Sequence, residues 1–279
     1  MLSYRHGFHA GNHADVLKHA IFVFLARHLQ RKAGGVLFLD THAGAGLYDL
    51  RAAAAEKTGE FREGIARVLP RKATAPALLR DYLALVEAWN PSAAPTTYPG
   101  SPALAAAFRR PQDRVVLFEL HPTDFQCLAD HTRREKRLAI HHADGLKGLL
   151  AHVPPIERRG LFLIDPSYEI KDDYEDVVAT LIKAWRKFAT GVYALWYPVI
   201  ERRRVHEMET ALRKSGARKI YRVEFCVAPD TRGHGMTGSG LFILNPPFTL
   251  APAVAGALPW LAETLGAKGP VRADWLVPE

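Results

Sequence analysis

Short apolar runs alternate with amphipathic stretches along most of the chain, which is the pattern of an α/β fold. Runs typical of buried strands fall at residues 36–40, 114–120, 139–145, 161–164, 192–197, 219–227 and 240–244. Segments with helical periodicity lie between them, notably at about residues 12–32, 174–188 and 201–215. We therefore predict a seven-stranded, mostly parallel sheet that ends in a hairpin, with helices on its faces.

The interval between the first two predicted strands is too long for an ordinary crossover. Residues 52–92 are rich in Ala, Leu, Glu and Arg and place apolar side chains at helical spacing, so we predict a small helical insertion over about residues 47–100. Residues 1–13 are polar and interrupted by glycine, and are predicted to form an ordered N-terminal arm. Residues 1–279 otherwise read as a single domain without repeats or a flexible linker.

Composition narrows the class of protein. The chain has 279 residues, 48% of them hydrophobic, which is enough for a sizeable core, and a formal net charge of +8 that favours a polyanionic partner. Its two cysteines, Cys127 and Cys226, have no CxxC or CxxH spacing, so neither zinc nor a disulfide framework is expected. The longest apolar run, residues 20–26, is too short to cross a bilayer, and we expect a cytoplasmic protein without a membrane role.

A glycine-containing turn follows the first predicted strand, in the segment Asp40-Thr41-His42-Ala43-Gly44-Ala45-Gly46. The two glycines allow a sharp turn and a close approach of the backbone to a ligand, as in nucleotide-binding α/β folds. The third glycine of the dinucleotide fingerprint is missing. The turn therefore suits S-adenosylmethionine, which is cationic and needs no pyrophosphate cradle, better than it suits a dinucleotide.

Acidic residues end the next two predicted strands. Glu119 follows the second strand, where a carboxylate can accept both hydroxyls of a ribose, and Asp144 follows the third, where it can accept an adenine amine. Either acid alone is better explained as a helix cap or a surface carboxylate. Their order along the chain after the glycine turn is what favours a nucleoside ligand.

The fourth predicted strand runs into Asp165-Pro166-Ser167-Tyr168. At the carboxyl end of a parallel strand, the Asp165 carboxylate and the Pro166 carbonyl can accept the N–H groups of a flat amine while the Tyr168 ring covers its face. This arrangement is typical of adenine N6 methylation, and its alternative is a strand ending in a proline turn. A similar segment, residues 245–248, follows the last strand instead, and position favours Asp165 as the acceptor site.

Histidines are concentrated near the N-terminus, at His6, His9, His13 and His19. Their spacing does not place two of them with a carboxylate on one helical face, so we predict contacts with phosphate or cofactor rather than a metal site. His42 lies inside the glycine turn, where it either faces the cofactor or is satisfied by backbone groups.

Longer motifs carry a resemblance to a known family. Residues 1–19, 39–46, 98–102, 193–198 and 275–279 closely resemble the bacterial large-subunit ribosomal RNA adenine-N6 methyltransferase J family, and the match covers essentially the whole chain. The resemblance implies a Rossmann-like class I methyltransferase with a helical insertion. It also implies that the protein is a monomer that methylates one adenine of 23S rRNA, protein-free or early in assembly, with S-adenosylmethionine as donor and no metal.

The resemblance assigns roles residue by residue. It implies that Asp165 is catalytic and also touches the cofactor, and that Tyr4, His6, Pro166 and Tyr168 meet the substrate. It implies cofactor contacts for Lys18, His19, His42, Ser101, Glu119, Asp144 and Gly145. The family's usual Asp-Pro-Pro-Tyr has Ser167 as its third residue here, which bears on loop rigidity and rate more than on the reaction. A DNA adenine methyltransferase and a non-catalytic nucleic-acid-binding protein with a decayed site are the alternative readings.

Overall fold

A computed structural model describes residues 4–92, 94–133, 135, 137–170, 172–230 and 235–279. The first three residues of the predicted arm lie outside these ranges. The described α-helices are α1 His13–Leu29, α2 Ala53–Thr58, α3 Ile65–Val68, α4 Ala77–Ala88, α5 Ser101–Phe108, α6 Pro122–Thr132, α7 Gly145–His152, α8 Asp173–Lys187, α9 Arg202–Lys214 and α10 Leu250–Leu265. The described strands are β1 Leu37–Asp40, β2 Leu47–Asp49, β3 Thr97–Pro99, β4 Arg114–Phe118, β5 Leu138–His141, β6 Gly160–Ile164, β7 Val192–Val199, β8 Ile220–Cys226, β9 Gly238–Leu244 and β10 Val271–Val277.

Within the described residues the main sheet has eight strands, in the order β10-β8-β9-β7-β6-β1-β4-β5. The five strands from β5 to β7 are parallel, and β9 lies antiparallel to both β7 and β8. All seven predicted strands form, and the mostly parallel sheet is confirmed. In its centre, Leu39 pairs with Val116 on one side and Phe162 on the other, so the carboxyl ends of β1, β4 and β6 meet at one edge.

The predicted count of seven strands is wrong, because β10 adds an eighth at the edge of the sheet, antiparallel to β8. Its sequence does not read as an apolar strand because charged residues occupy one face. Those charges pair across to the neighbouring strand: Arg272 lies opposite Glu224 and Asp274 lies opposite Arg222. The Arg222 guanidinium donates to both carboxylate oxygens of Asp274, at 2.9 and 2.7 Å. Cross-strand ion pairs therefore stabilise β10 in place of the apolar side chains that mark most of the other strands.

Helix α1 is the element that carries side chains into the site. It is buried almost all round, as expected of a helix packed between a sheet and other helices, and it contacts α4, α5 and β9. Its N-terminus is capped by Asn12, whose Oδ1 accepts a hydrogen bond from Asp15 N at 3.0 Å. This packing holds the first turns of α1 against the carboxyl ends of β1 and β6.

The segment predicted as a helical insertion contains α2, α3 and α4 between the two short strands β2 and β3. These two strands pair antiparallel, with Leu47 opposite Pro99, so the chain enters and leaves the insertion at neighbouring points. Tyr82 of α4 and Tyr98 of β3 join their hydroxyls at 3.0 Å, which ties the helices to that exit. The division of the chain into arm, insertion and main domain stays a prediction.

Candidate active site

A cavity of about 1190 Å³ lies at the carboxyl ends of the parallel strands. It is bounded by the arm, the first turns of α1, the glycine turn, the start of α7 and the loop after β6. The predicted site residues that line it are Tyr4, His6, Lys18, His19, His42, Ser101, Glu119, Asp144, Gly145, Asp165 and Pro166. The fold thus brings together residues that are far apart in sequence, as expected at the switch point of an α/β sheet.

The glycine turn after β1 has the conformation that its glycines require. Gly44 and Gly46 have φ values of 62° and 80°, in the left-handed region that favours glycine. A Cβ on Gly44 would lie 2.3 Å from the Tyr48 hydroxyl. The turn is held by the Gly44 N–H, which donates to Glu119 Oε2 at 2.7 Å. The backbone is therefore fixed close to the cavity by a carboxylate from the neighbouring strand.

Glu119 serves this turn as well as facing the cavity. Its second oxygen, Oε1, accepts from the His121 N–H at 2.6 Å. Burial raises the pKa of Glu119, while the two backbone donors lower it. Each carboxylate oxygen has two acceptor positions, so a ribose hydroxyl can still bind beside the backbone N–H groups.

Asp144 caps helix α7, as the alternative reading of its sequence anticipated. Its Oδ1 accepts from Leu146 N at 2.9 Å and Lys147 N at 3.2 Å, and Oδ2 lies 3.3 Å from Lys147 Nζ. It also lines the cavity, so capping fixes its carboxylate at the site. Gly145 has a packing role, because a Cβ there would lie 1.9 Å from the Thr41 carbonyl oxygen.

Asp40 ends β1 beneath the cavity and was not singled out as a site residue. Ser101 Oγ donates to its Oδ2 at 2.5 Å, and the His42 N–H donates to its Oδ1 at 3.1 Å. Burial raises the pKa of Asp40 to about 7, against the lowering effect of these two donors. Ser101, the first residue of α5, is therefore oriented by a carboxyl group that lies behind it.

Asp165 forms a buried ion pair with Lys18 at the centre of the site. Lys18 Nζ lies 2.6 Å from Asp165 Oδ2 and 2.8 Å from Asp15 Oδ1, and Lys18 is 4% exposed. Burial alone would lower the pKa of Lys18, but the two carboxylates raise it above its ordinary value. Burial raises the pKa of Asp165, and Lys18 opposes that rise. Asp165 Oδ1 has no hydrogen-bond partner among the described residues, and Lys18 also lies 5.7 Å from the centre of the Trp196 ring.

Asp15 connects this ion pair to the arm. Its carboxylate oxygen Oδ2 accepts from the Gly11 N–H at 2.8 Å and contacts His6 Nε2 at 2.9 Å. His6 Nδ1 in turn contacts the Tyr4 hydroxyl at 2.9 Å. A continuous polar chain therefore runs from the arm through Asp15 and Lys18 to Asp165.

The arm also contacts the insertion and α6. His9 Nδ1 lies 2.9 Å from Glu60 Oε1, and the Tyr4 ring stacks on the His9 ring at 5.6 Å. Arg5 pairs with Asp124 of α6 at 3.2 Å. The arm thus covers the cavity between two elements on opposite sides of it.

Two predicted histidines line the cavity in neutral form. Burial lowers the pKa of His19 to about 3 and that of His42 to about 4. His19 Nδ1 contacts the Tyr98 hydroxyl at 2.8 Å, and His42 Nδ1 contacts Thr41 Oγ1 at 2.7 Å. Each ring has one nitrogen engaged, so the other is available as a single donor or acceptor.

Tyr168 is the one predicted site residue that does not line the cavity in the described structure. Its φ is 55°, its ring packs against Tyr174 and Trp196 at 4.4 and 5.9 Å, and it is 7% exposed. Its hydroxyl donates to the Trp196 carbonyl at 2.6 Å. The Trp196 side chain lines the cavity instead, a placement that the sequence of β7 did not indicate.

The segment Asn245–Phe248 lies at the other end of the sheet. Because β9 runs antiparallel to β7, its last residue, Leu244, pairs with Tyr193 at the start of β7. Asn245 Nδ2 donates to the carbonyls of Ala189 and Gly191, at 2.6 and 2.8 Å, so its amide has a structural role. The segment is far from the cavity because β9 runs antiparallel to β7 and therefore ends at the opposite edge of the sheet.

Within the described part of the chain, no group of three or more His, Cys, Asp or Glu side chains is arranged to hold a metal ion. None of its helices is both long and apolar enough to span a bilayer. Cys127 and Cys226 are both unpaired thiols.

Comparison with known proteins gives matches over the whole chain. A family model described as ribosomal RNA large subunit methyltransferase D, RlmJ, matches residues 33–277. The ribosomal RNA large subunit methyltransferases J of Escherichia coli and Haemophilus influenzae are 46% identical over 281 residues and 42% identical over 282, with 100% of each chain covered. The crystal structure of protein LPL1258 from Legionella pneumophila, 35% identical, superposes with a TM-score of 0.89 over 96% of this chain and 98% of that one.

Proposed function

The chain belongs to the ribosomal RNA large subunit methyltransferase J family, and from this premise we propose that it methylates N6 of one adenine in 23S rRNA. It is a ribosomal RNA methyltransferase with a Rossmann-like sheet to which one edge strand is added. The observation that carries the proposal is Asp165: a carboxylate at the carboxyl end of β6, followed by Pro166, inside the main cavity and paired with a buried lysine.

The cavity suits S-adenosylmethionine as the methyl donor. Among the described residues that line it, nine are Asp or Glu and three are Lys or Arg, which favours a cationic ligand. Glu119 would accept the ribose hydroxyls, and Asp144 would accept the adenine amine of the donor. Ser101, His19 and His42 would bind its amino acid end. The bound donor supplies a methyl group on a positively charged sulfur.

Asp165 and Pro166 would act on the acceptor. The amine of adenine is a weak nucleophile because its lone pair is delocalised into the ring. Hydrogen bonds from N6 to Asp165 Oδ1 and to the Pro166 carbonyl oxygen would draw the nitrogen toward tetrahedral geometry and localise that pair. The N6 proton becomes acidic only as the N–C bond forms, so Asp165 Oδ1 can accept it without being a strong base.

Lys18 would set the charge and orientation of Asp165. It holds Oδ2 at 2.6 Å, which leaves Oδ1 for the substrate and opposes the rise that burial causes in the pKa of Asp165. Tyr4 and His6 would close the site over the base and transmit the position of the arm to Lys18 through Asp15. Tyr168 would support the acceptor loop through the Trp196 carbonyl and would meet the base only after a change in its ring position.

The experiment that tests this proposal is transfer of labelled methyl from S-adenosylmethionine to protein-free 23S rRNA and, in parallel, to adenine-containing duplex DNA. The Asp165→Ala variant is the control for contaminating activity. Label in the RNA that is absent with the variant supports the proposal. Label only in DNA would support the methylation chemistry and reject the ribosomal substrate. A protein that binds RNA but neither transfers the methyl group nor binds the cofactor would favour a decayed site.

A further inference from the structure

The cavity carries the wrong charge to hold an RNA backbone. Among the described residues that line it, nine carboxylates outnumber three Lys or Arg side chains, and this excess of negative charge repels phosphates as it favours a cationic donor. Phosphate contacts nevertheless supply most of the affinity of a protein for nucleic acid. With a net charge of +8, the chain must present its cations elsewhere.

Basic residues surround the C-terminal end of α1, at the amino ends of the parallel strands, and of these Arg31 and Lys32 are exposed while Arg110 and Arg159 are half-buried. The Gly34 carbonyl accepts from both Arg110 Nη2, at 3.0 Å, and Arg159 Nη1, at 2.9 Å. These two guanidinium groups cap the end of the helix, and Arg110 is also paired with Asp113. Arg31 and Lys32 project from the same turn, are exposed, and make no ion pair with any described carboxylate. We call Arg31, Lys32, Arg110, Arg159 and the neighbouring Phe248 the basic patch.

Phe248 gives the patch an aromatic surface. It is 83% exposed, the most exposed phenylalanine among the described apolar residues, and its ring is T-shaped to that of His28, with the ring centres 6.1 Å apart. His28 Nδ1 contacts Thr249 Oγ1 at 3.0 Å, which fixes the loop against α1. Burial lowers the pKa of His28, and Arg31, Lys32 and Arg159 lower it further, so the cations surround the same imidazole that supports Phe248.

We propose that the basic patch is a second contact for the rRNA substrate, in which Arg31 and Lys32 bind phosphates and Phe248 stacks on an unpaired base. Cations beside an exposed aromatic ring fit single-stranded or looped RNA, whose bases can stack without sequence selection. The inference rests on the proposed function. His19 is the last residue of α1 that lines the cavity, and the ten residues from there to Leu29 span ~15 Å, so the patch lies ~15 Å or more from the cavity. That distance corresponds to about four or five stacked nucleotides, so the patch acts on the affinity for a long RNA and not on the reacting base.

The test uses the full chain with Arg31→Gln and Lys32→Gln combined, and Phe248→Ala separately, because none of these side chains has a partner that the fold depends on. Binding of protein-free 23S rRNA is measured by filter retention across a range of salt concentrations. Methyl transfer is measured over the same range. Two lost phosphate contacts should reduce the slope of log Kd against log salt by about 1.4 to 1.8, equivalent at 0.1 M salt to a loss of affinity on the order of 30-fold. Phe248→Ala should weaken binding by about fivefold or more.

The matched control combines Lys214→Gln and Arg218→Gln, which remove the same charge from exposed positions outside the cavity and the patch. The control should keep the wild-type slope, and all variants should keep the wild-type kcat at saturating RNA and the wild-type affinity for S-adenosylmethionine. Equal slopes for the patch and control variants, or a fall in kcat without a change in RNA affinity, would overturn the proposal. Failure of the wild type to methylate RNA would instead reject the proposed function, since binding is measured independently of transfer.

Discussion

Replacing Lys18 with methionine should destabilise the protein in a pH-dependent way. Lys18 is 4% exposed and contacts two carboxylates, Asp15 at 2.8 Å and Asp165 at 2.6 Å. Methionine has a similar length and no charge, so the substitution removes the cation and leaves two buried acids facing each other. Breaking a buried ion pair by removing one partner typically costs about 3–5 kcal/mol.

Protonation of the acids limits this cost and sets its pH dependence. In the wild type, burial raises the pKa of Asp165 and Lys18 opposes the rise, so loss of Lys18 raises it further. A carboxyl with a higher pKa in the folded than in the unfolded chain binds its proton more tightly when folded, and stability then falls as pH rises through the folded value. Lys18 helps to lower the pKa of Asp15 in the folded protein, and this lowering contributes to stability at pH values above the unfolded pKa of Asp15. The variant loses part of that contribution. Both effects make the penalty larger at pH 8 than at pH 5.

The assay is denaturant unfolding followed by the fluorescence of the five tryptophans, at pH 5, 7 and 8. At pH 7 to 8 the free energy of unfolding should fall by about 3–5 kcal/mol, and the melting temperature by about 10 °C. Lys268→Met is the matched control, because Lys268 is exposed and makes no ion pair with a described carboxylate, and it should change stability by less than about 0.5 kcal/mol. A loss below about 1 kcal/mol for Lys18→Met, or a loss that is the same at pH 5 and pH 8, would refute the account of this ion pair.

Three further predictions concern the glycine turn, the acid beneath it and the acceptor loop. Gly44→Ala should lower the free energy of unfolding by about 2 kcal/mol or more and weaken cofactor binding in calorimetry, because its Cβ would lie 2.3 Å from the Tyr48 hydroxyl at a φ of 62°. As the control, Gly256→Ala, in open space on α10, should raise the free energy of unfolding by up to about 1 kcal/mol. Because burial raises the pKa of Asp40 to about 7, the wild type should lose stability between pH 5 and pH 8, and Asp40→Asn should flatten that loss in unfolding curves. Ser167→Pro should leave kcat equal or higher in the methyl-transfer assay, since no described group accepts from the Ser167 N–H; a kcat reduced tenfold would contradict this.

The strands of the sheet could be predicted because burial on both faces leaves a continuous apolar run in the sequence. The strands β1, β4, β6, β7 and β9 have such a run; β5 alternates half-buried and exposed residues and β8 contains two charged residues, yet all seven predicted strands form. β10 could not be found in this way because its charges are satisfied by Glu224 and Arg222 on another strand, a pairing that depends on the register of the sheet. The short strands β2 and β3 depend in the same way on the close return of the chain after the insertion.

Residues at the ends of parallel strands were likewise predictable as neighbours, because those ends meet at one edge. Glu119, Asp144 and Asp165 all line the cavity for this reason. The role of Asp15 could not be predicted in this way, since its contacts with Lys18 and the arm depend on how the start of α1 packs in the folded chain. The burial of the Tyr168 ring follows from a positive φ that a tyrosine rarely adopts, which no pattern in the sequence signals.

The central claim is that Asp165 activates the N6 amine of an rRNA adenine. The most direct measurement compares wild type, Asp165→Asn and, as a matched control, Asp176→Asn, another acid of the cavity lining. Methyl transfer to 23S rRNA is followed by nucleoside mass spectrometry, and cofactor affinity by calorimetry. We expect N6-methyladenine from the wild type and the control, and turnover reduced about 100-fold or more in Asp165→Asn with cofactor affinity within about threefold of wild type. Turnover near the wild-type rate in Asp165→Asn, or methylation at an atom other than N6, would contradict the claim.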